Sequence, residues 1–199
     1  AHDFEIIYSK KEFIFRLMEF LAEGDEFKYI LRYPALPYLA YVSNSKEFLE
    51  TLNMISESRD ALTDTKDNLP VLLNNFYHKK FKEGSRFDYI LCRSALEEFL
   101  KLIENNKGKS ARRKKVLELK KKMKKYNVSM RVVDEHFPLG VYLSKNKVII
   151  ILTSSGALTG IIHKKREVIK FYENLFNEMN DRSYPIEDCF MTKKDGAKK

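Results

Sequence analysis

Residues 87–103 read FDYILCRSALEEFLKLI. Phe87, Tyr89, Ile90, Leu91 and Cys92 form a short run of aromatic and branched side chains, which predicts a strand over Phe87–Cys92. The period then changes. Ser94 is a helix-capping type of residue, and Leu96, Phe99, Leu100 and Ile103 recur at the spacing of one helical face. A strand passing into a helix across Arg93-Ser94 is the building unit of an α/β sheet.

The same alternation extends in both directions. Toward the N-terminus, Phe4–Tyr8 reads as a strand. Lys11–Ala22 reads as a helix with Phe13, Leu17, Phe20 and Leu21 inside, and Phe27–Tyr33 as a second strand. The prolines of Tyr33-Pro34-Ala35-Leu36-Pro37-Tyr38 require extended or turning chain. Ser45 caps a helix from Lys46 carrying Phe48, Leu49, Leu52 and Ile55, and residues 56–68 form a polar connection. Pro70 suits the first turn of a further helix with Leu72, Leu73, Phe76 and Tyr77 inside.

Toward the C-terminus, Val128–Val133 reads as a strand. Leu139–Leu143 and Lys147–Leu152 make a hairpin around Lys145-Asn146. A turn at Ser154-Ser155-Gly156, a last strand at Gly160–Ile162 and an amphipathic helix over Glu167–Met179 complete the series. The expected fold is α/β: one domain over residues 1–180, with a mixed, mostly parallel sheet flanked by helices. A β-hairpin and an amphipathic helix close it, and residues 181–199 form a partly disordered tail.

The chain has 199 residues, 44% of them hydrophobic and 33% charged, enough to fill one sizeable core beneath a charged surface. No apolar run approaches the roughly 20 residues that span a bilayer. A cytoplasmic protein without a membrane partner is expected. Cys92 and Cys189 are distant and unpatterned, which argues against a disulfide scaffold or a cysteine zinc site and for a reducing compartment.

The formal net charge is +9, and its source is local. Residues 107–125 hold eleven Lys/Arg against one acid, Glu118. Val116, Leu119, Met123 and Tyr126 fall on one narrow face, so this helix has an apolar floor and a cationic roof. Over residues 110–125, Arg112, Arg113, Lys114, Lys115 and Lys121 are candidates for nucleic-acid phosphates. The plain alternative is a solvated basic face. No aromatic platform is interleaved with the charges, which disfavours a single-strand reader.

Catalytic patterns are weak. His78-Lys79-Lys80 and His163-Lys164-Lys165 each contain the His-x-Lys of phospholipase-D-type phosphodiesterases. The aspartate that should follow the Lys after four intervening residues is replaced by Ser85 and Lys170. No nucleophile elbow, phosphate-cradling Gly-rich loop or His-Glu-x-x-His is present. The plainer reading of both triplets is exposed basic residues, so a phosphodiesterase is the least favoured reading, and no enzyme, metal or cofactor is expected. Asp134-Glu135-His136 reads as a polar turn at a strand end. Arg32, Arg93, Ser94 and Ser154 lie at strand ends or a helix start, where small anions gather in α/β sheets, and form the candidate ligand site.

Residues 128–180 carry a resemblance. A strand with Arg131 is followed by Phe137-Pro138, then by Leu139–Leu143, Lys145-Asn146, Val148–Leu152 and a helix with Phe171-Tyr172-Glu173-Asn174-Leu175-Phe176. In order and spacing this resembles the end of the effector-binding domains of archaeal TrmB-like and FilR1-like transcriptional regulators. The resemblance implies a phospholipase-D-like fold without the nuclease residues. It also implies a sensor and dimerisation role in transcription regulation. A small effector is expected near Arg32 and Arg93 from their strand-end positions, and no ligand residue is carried over from the family. A winged helix-turn-helix is implied as well. A strand at Phe4 leaves no room for one after residue 1, so either the reader domain has been separated or the protein is a stand-alone relative. Direct DNA contact would then fall to the basic helix. Phe171, Tyr172, Leu175 and Phe176 exceed what one packed face needs and are the candidate homodimer contact.

Overall fold

A computed structural model describes residues 3–31, 69–154 and 157–190. Its strands are β1 (Phe4–Ile7), β2 (Glu26–Leu31), β3 (Arg86–Cys92), β4 (Val128–Val133), β5 (Gly140–Leu143), β6 (Val148–Ser154), β7 (Ala157–His163) and β8 (Tyr184–Pro185). They form one sheet in the order β1-β7-β6-β5-β2-β3-β4-β8. The helices described are α1 (Lys10–Ala22), α2 (Leu69–Glu83), α3 (Arg93–Lys107), α4 (Lys109–Lys125) and α5 (Arg166–Arg182).

The α/β class is as expected, but the sheet is not mostly parallel. Only β2, β3 and β4 run parallel, while β1, β5, β6, β7 and β8 all pair antiparallel. The cause is connection length. Parallel neighbours need a crossover, and helices supply one from β2 through α2 to β3 and from β3 through α3 and α4 to β4. The β5–β6 and β6–β7 connections are too short for anything but hairpins.

Register explains the continuous apolar runs in β2 and β3. Tyr29 pairs with Tyr89 and Phe27 with Phe87 on one face, whereas Ile30 pairs with Ile90 on the other. Both faces of these strands are covered, so both residue parities must be apolar. The first face holds the larger core, where α1 to α4 pack over an aromatic cluster. Its rings include Tyr29, Tyr77 and Phe87, and the Tyr29 and Tyr77 hydroxyls share a buried hydrogen bond of 3.0 Å. The second face is covered by α5, whose Ile169, Phe176 and Met179 pack with Ile30, Ile90, Val141, Leu143 and Val148. Toward β1, apolar side chains on this second face stay open to solvent: Phe4, Ile6, Leu152 and Ile161 are each more than a third exposed.

Gly160 shows how close the packing is at that edge. It pairs with Ile7 and Ile151, and a Cβ there would lie 2.5 Å from Ile151 Cδ1 and 3.2 Å from Ile7 Cβ. The Ile151 methyl can swing away, but Ile7 is fully buried and its Cβ is fixed to the strand. Gly160→Ala is expected to cost about 1–3 kcal/mol by overpacking. A thermal melt checks this, and an unchanged midpoint would contradict it.

Several local expectations are revised. Leu72, expected inside, is 51% exposed, and Phe81 takes the inner position one turn beyond Tyr77. Lys80, expected among exposed basic residues, is buried and donates to the Gly24 carbonyl at 2.9 Å and Asp25 Oδ1 at 3.2 Å. The start of the expected tail is built into the fold. Tyr184 and Pro185 pair with Val132 and Arg131, Ile186 is fully buried, and a 3-10 turn spans Ile186–Phe190. Arg131 fastens this return through Nε to Ser183 Oγ at 2.6 Å and Nη2 to the Ser183 carbonyl at 2.7 Å. The turn at Tyr33–Tyr38, the helix from Lys46 and the polar connection 56–68 lie outside the described residues.

Candidate nucleic-acid interface

The basic segment forms α4, which doubles back on α3 at Gly108. Gly108 has φ +85°, a conformation that a side chain would strain, and this lets one helix follow the other directly. Leu119 is buried, and Val116, Met123 and Tyr126 pack partly against the larger core. The floor predicted from spacing is therefore the floor observed.

The roof divides into two kinds of cation. Arg112 is a structural tie. Its Nη2 lies 3.0 Å from Glu97 Oε2 and its Nη1 3.6 Å from Glu104 Oε2, both on α3. Lys115 pairs with Glu118 within α4 at 3.2 Å. Both belong to the candidate set, and both have their charge partly answered by carboxylates.

Arg113, Lys114, Lys121, Lys124 and Lys125 are exposed. At about 100° per residue they share an arc of roughly 120°, opposite Leu119. From Arg113 to Lys125 the stripe is about 18 Å long, close to the rise of five phosphates along one DNA strand at about 3.4 Å each. Lys124 and Lys125 were not among the sequence candidates, although their spacing from Arg113 and Lys121 places them on the same face. Leu117, 58% exposed, sits inside this arc.

The strand-end candidates are less coherent. Arg93 and Asp134 meet at the ends of the parallel neighbours β3 and β4, with Arg93 Nη1 3.6 Å from Asp134 Oδ1. Tyr184 donates to the same carboxylate oxygen at 2.8 Å. Burial, then this bond to Asp134, pushes the Tyr184 hydroxyl up from its ordinary pKa. Ser94 does not cap α3: the helix begins one residue earlier, with Cys92 at the cap position and no side-chain cap bond. Arg32 lies outside the described residues, and Ser154 ends β6 with no described side chain. Asp134 and Glu135 serve as ion-pair partners of Arg93 and Arg182.

The two His-x-Lys sequences are not brought together. His78 lies on α2 over the first face, edge-on to Phe81. His163 ends β7 in register with Val148, whose side chain packs on the second face. Phe176, a candidate dimer contact, is buried beneath α5 in the smaller core, with Lys28 Nζ 5.5 Å from its ring centre. Tyr172 and Leu175 are partly buried against the same core, while Phe171 is 62% exposed. No helix among the described residues is long and apolar enough to cross a membrane.

No protein-family model matches the chain, and no curated protein matches it. Among solved structures, the chain is similar to TrmBL2, an archaeal chromatin protein whose structure shows a novel mode of DNA binding. The TM-score is 0.52 at 13% identity, over 93% of this chain and 54% of that one. The chain thus spans about half the length of TrmBL2. At this identity the likeness is one of fold, and at that level it agrees with the TrmB-like resemblance of residues 128–180.

Proposed function

We propose that this chain is a DNA-associated regulatory domain of an archaeal, TrmB-like kind, which binds rather than transforms its partners. It would hold duplex phosphates on the outer stripe of α4. The observation that supports this most is the five-cation arc, on which no carboxylate lies. The DNA-binding character of the structurally similar TrmBL2 adds to it. Binding through phosphates alone is steeply salt-dependent and largely indifferent to sequence. The triple variant Arg113→Gln, Lys114→Gln, Lys121→Gln should lose at least about a hundredfold in affinity for duplex DNA at low salt. Its melting temperature should stay close to that of the parent, because exposed substitutions cost within about 0.5 kcal/mol. Equal binding by parent and variant would sink the proposal.

Homodimerisation is the second part of this reading. With Phe176 in the core, the exposed apolar side chains left for such a contact include Phe171 on α5 and, on the sheet, Ile6, Leu152 and Ile161. Phe171→Asp should halve the mass measured by light scattering without altering the fold. A dimer that survives this change uses another surface.

A further inference from the structure

A concave basic site lies on the opposite face of the sheet from α4. It occupies about 680 Å³ beside the first turns of α5. Lys28 reaches it from β2, Lys145 from the β5–β6 turn, Lys164 from the end of β7, and Arg166 and Lys170 from α5. One lining carboxylate, Glu173, stands against these five cations.

We infer that this is a binding site for a small ligand carrying two or more phosphate groups. Three observations support it. First, the cations converge from four separate elements, and held together they repel one another unless an anion answers them. Among the described residues, Lys28, Lys145, Arg166 and Lys170 have no carboxylate at ion-pair distance. Lys164 is the exception: it lies 2.5 Å from Glu5, which also meets Arg16, and Arg16 has Glu19 as a second partner.

Second, α5 begins at this site and its cap residue, Lys165, makes no side-chain cap bond. The first-turn amides and the positive dipole end of a 17-residue helix add to the field. Third, the volume is that of a small-molecule site, within the usual range of about 300–1,000 Å³. It is too large for a lone phosphate to fill. The amides of Asn174 and Asn177 offer orienting hydrogen bonds, and the lining has little apolar surface for a hydrophobic ligand. Lys28 is held in place under the Phe176 ring, so part of the site is set before any ligand arrives.

This inference is independent of DNA contact by α4, and its site does not include the strand-end candidates Arg93 and Ser94. The probes are inorganic tripolyphosphate and a short random-sequence duplex, each titrated calorimetrically into the full chain. The parent should bind tripolyphosphate at one site per chain. The double variant Lys145→Gln, Lys170→Gln should lose at least tenfold in that affinity and keep its affinity for duplex. The α4 triple variant should show the reverse. An absence of tripolyphosphate binding by the parent would overturn the inference. So would equal loss of tripolyphosphate in both variants, and so would loss of duplex alone in the α5-side variant, which would make this face a nucleic-acid surface. Both variants alter exposed side chains, and their melting temperatures report whether the fold is intact.

Discussion

Phe176→Asp is expected to destabilise the fold strongly rather than simply divide a dimer. The side chain is only 5% exposed and packs with Ile30, Ile90, Val141 and Met179. Removing a buried phenyl ring alone costs about 3–5 kcal/mol. The new carboxylate must also be desolvated or protonated, which adds a cost of its own. Lys28 is near enough to return some energy, but a half-exposed ion pair is worth only about 0–1 kcal/mol. The total, about 4 kcal/mol or more, is a large share of the roughly 5–15 kcal/mol that holds a domain folded. Phe171→Asp, five residues earlier on the same helix, should lie within about 0.5 kcal/mol of the parent. Urea denaturation of the two variants decides the matter, and similar midpoints would show that the assigned burial of Phe176 is wrong.

The second large effect is alkaline. Tyr29, Tyr77 and Tyr142 are buried, and burial pushes each hydroxyl up from its ordinary value near 10. The folded state keeps these protons at a pH where the unfolded chain has released them. Their contribution is fully present below about pH 10 and is lost as pH rises from there toward the raised folded values. Each ring removes about 1.4 kcal/mol per pH unit, so the three together remove about 4 kcal/mol per unit. Urea midpoints at pH 9, 10 and 11 should therefore fall steeply. The double variant Tyr29→Phe, Tyr77→Phe tests the assignment, because it should remove about two thirds of this slope. A slope unchanged by that variant would contradict it.

Local grammar was legible in the residues; long-range pairing was not. FDYILC and the Leu96, Phe99, Leu100, Ile103 spacing gave β3 and α3 directly, because burial on both faces and on one helical face leave different periods. Strand order leaves no such trace. Pairing of β5 with β2, or of β1 with β7, depends on which edges meet after the helices dock. The same limit explains Phe176. Counting large side chains on the last helix suggested a surplus, but Ile30, Ile90 and Val141 arrive from three other strands to receive it. Lys80 and Arg112 read as surface charge because their partners lie 55 and 15 residues away in sequence. Ser183–Ile186 looked like the start of a loose tail because Arg131, which fastens it, is 52 residues upstream.

The candidate site was legible in part. The floor and roof of α4 follow from a single-helix period, so its exposed stripe was visible in advance. The cationic cavity beside α5 was not, because Lys28, Lys145, Lys164 and Lys170 are scattered along the chain and share no motif. At the strand ends the opposite happened. Arg93 was foreseen as a ligand cation, and Asp134, which also accepts from Tyr184, lies at ion-pair distance from it.

Phosphate contact by α4 is the central claim, and the salt dependence of binding to random-sequence duplex DNA tests it most directly. Five contacts predict that log affinity falls with log salt at a slope of about −4.5, a loss of about 500-fold between 50 and 200 mM. The triple variant at Arg113, Lys114 and Lys121 should lower that slope by about 2.7. A flat salt response, or the full slope retained in the triple variant, would contradict the account and leave α4 a solvated face.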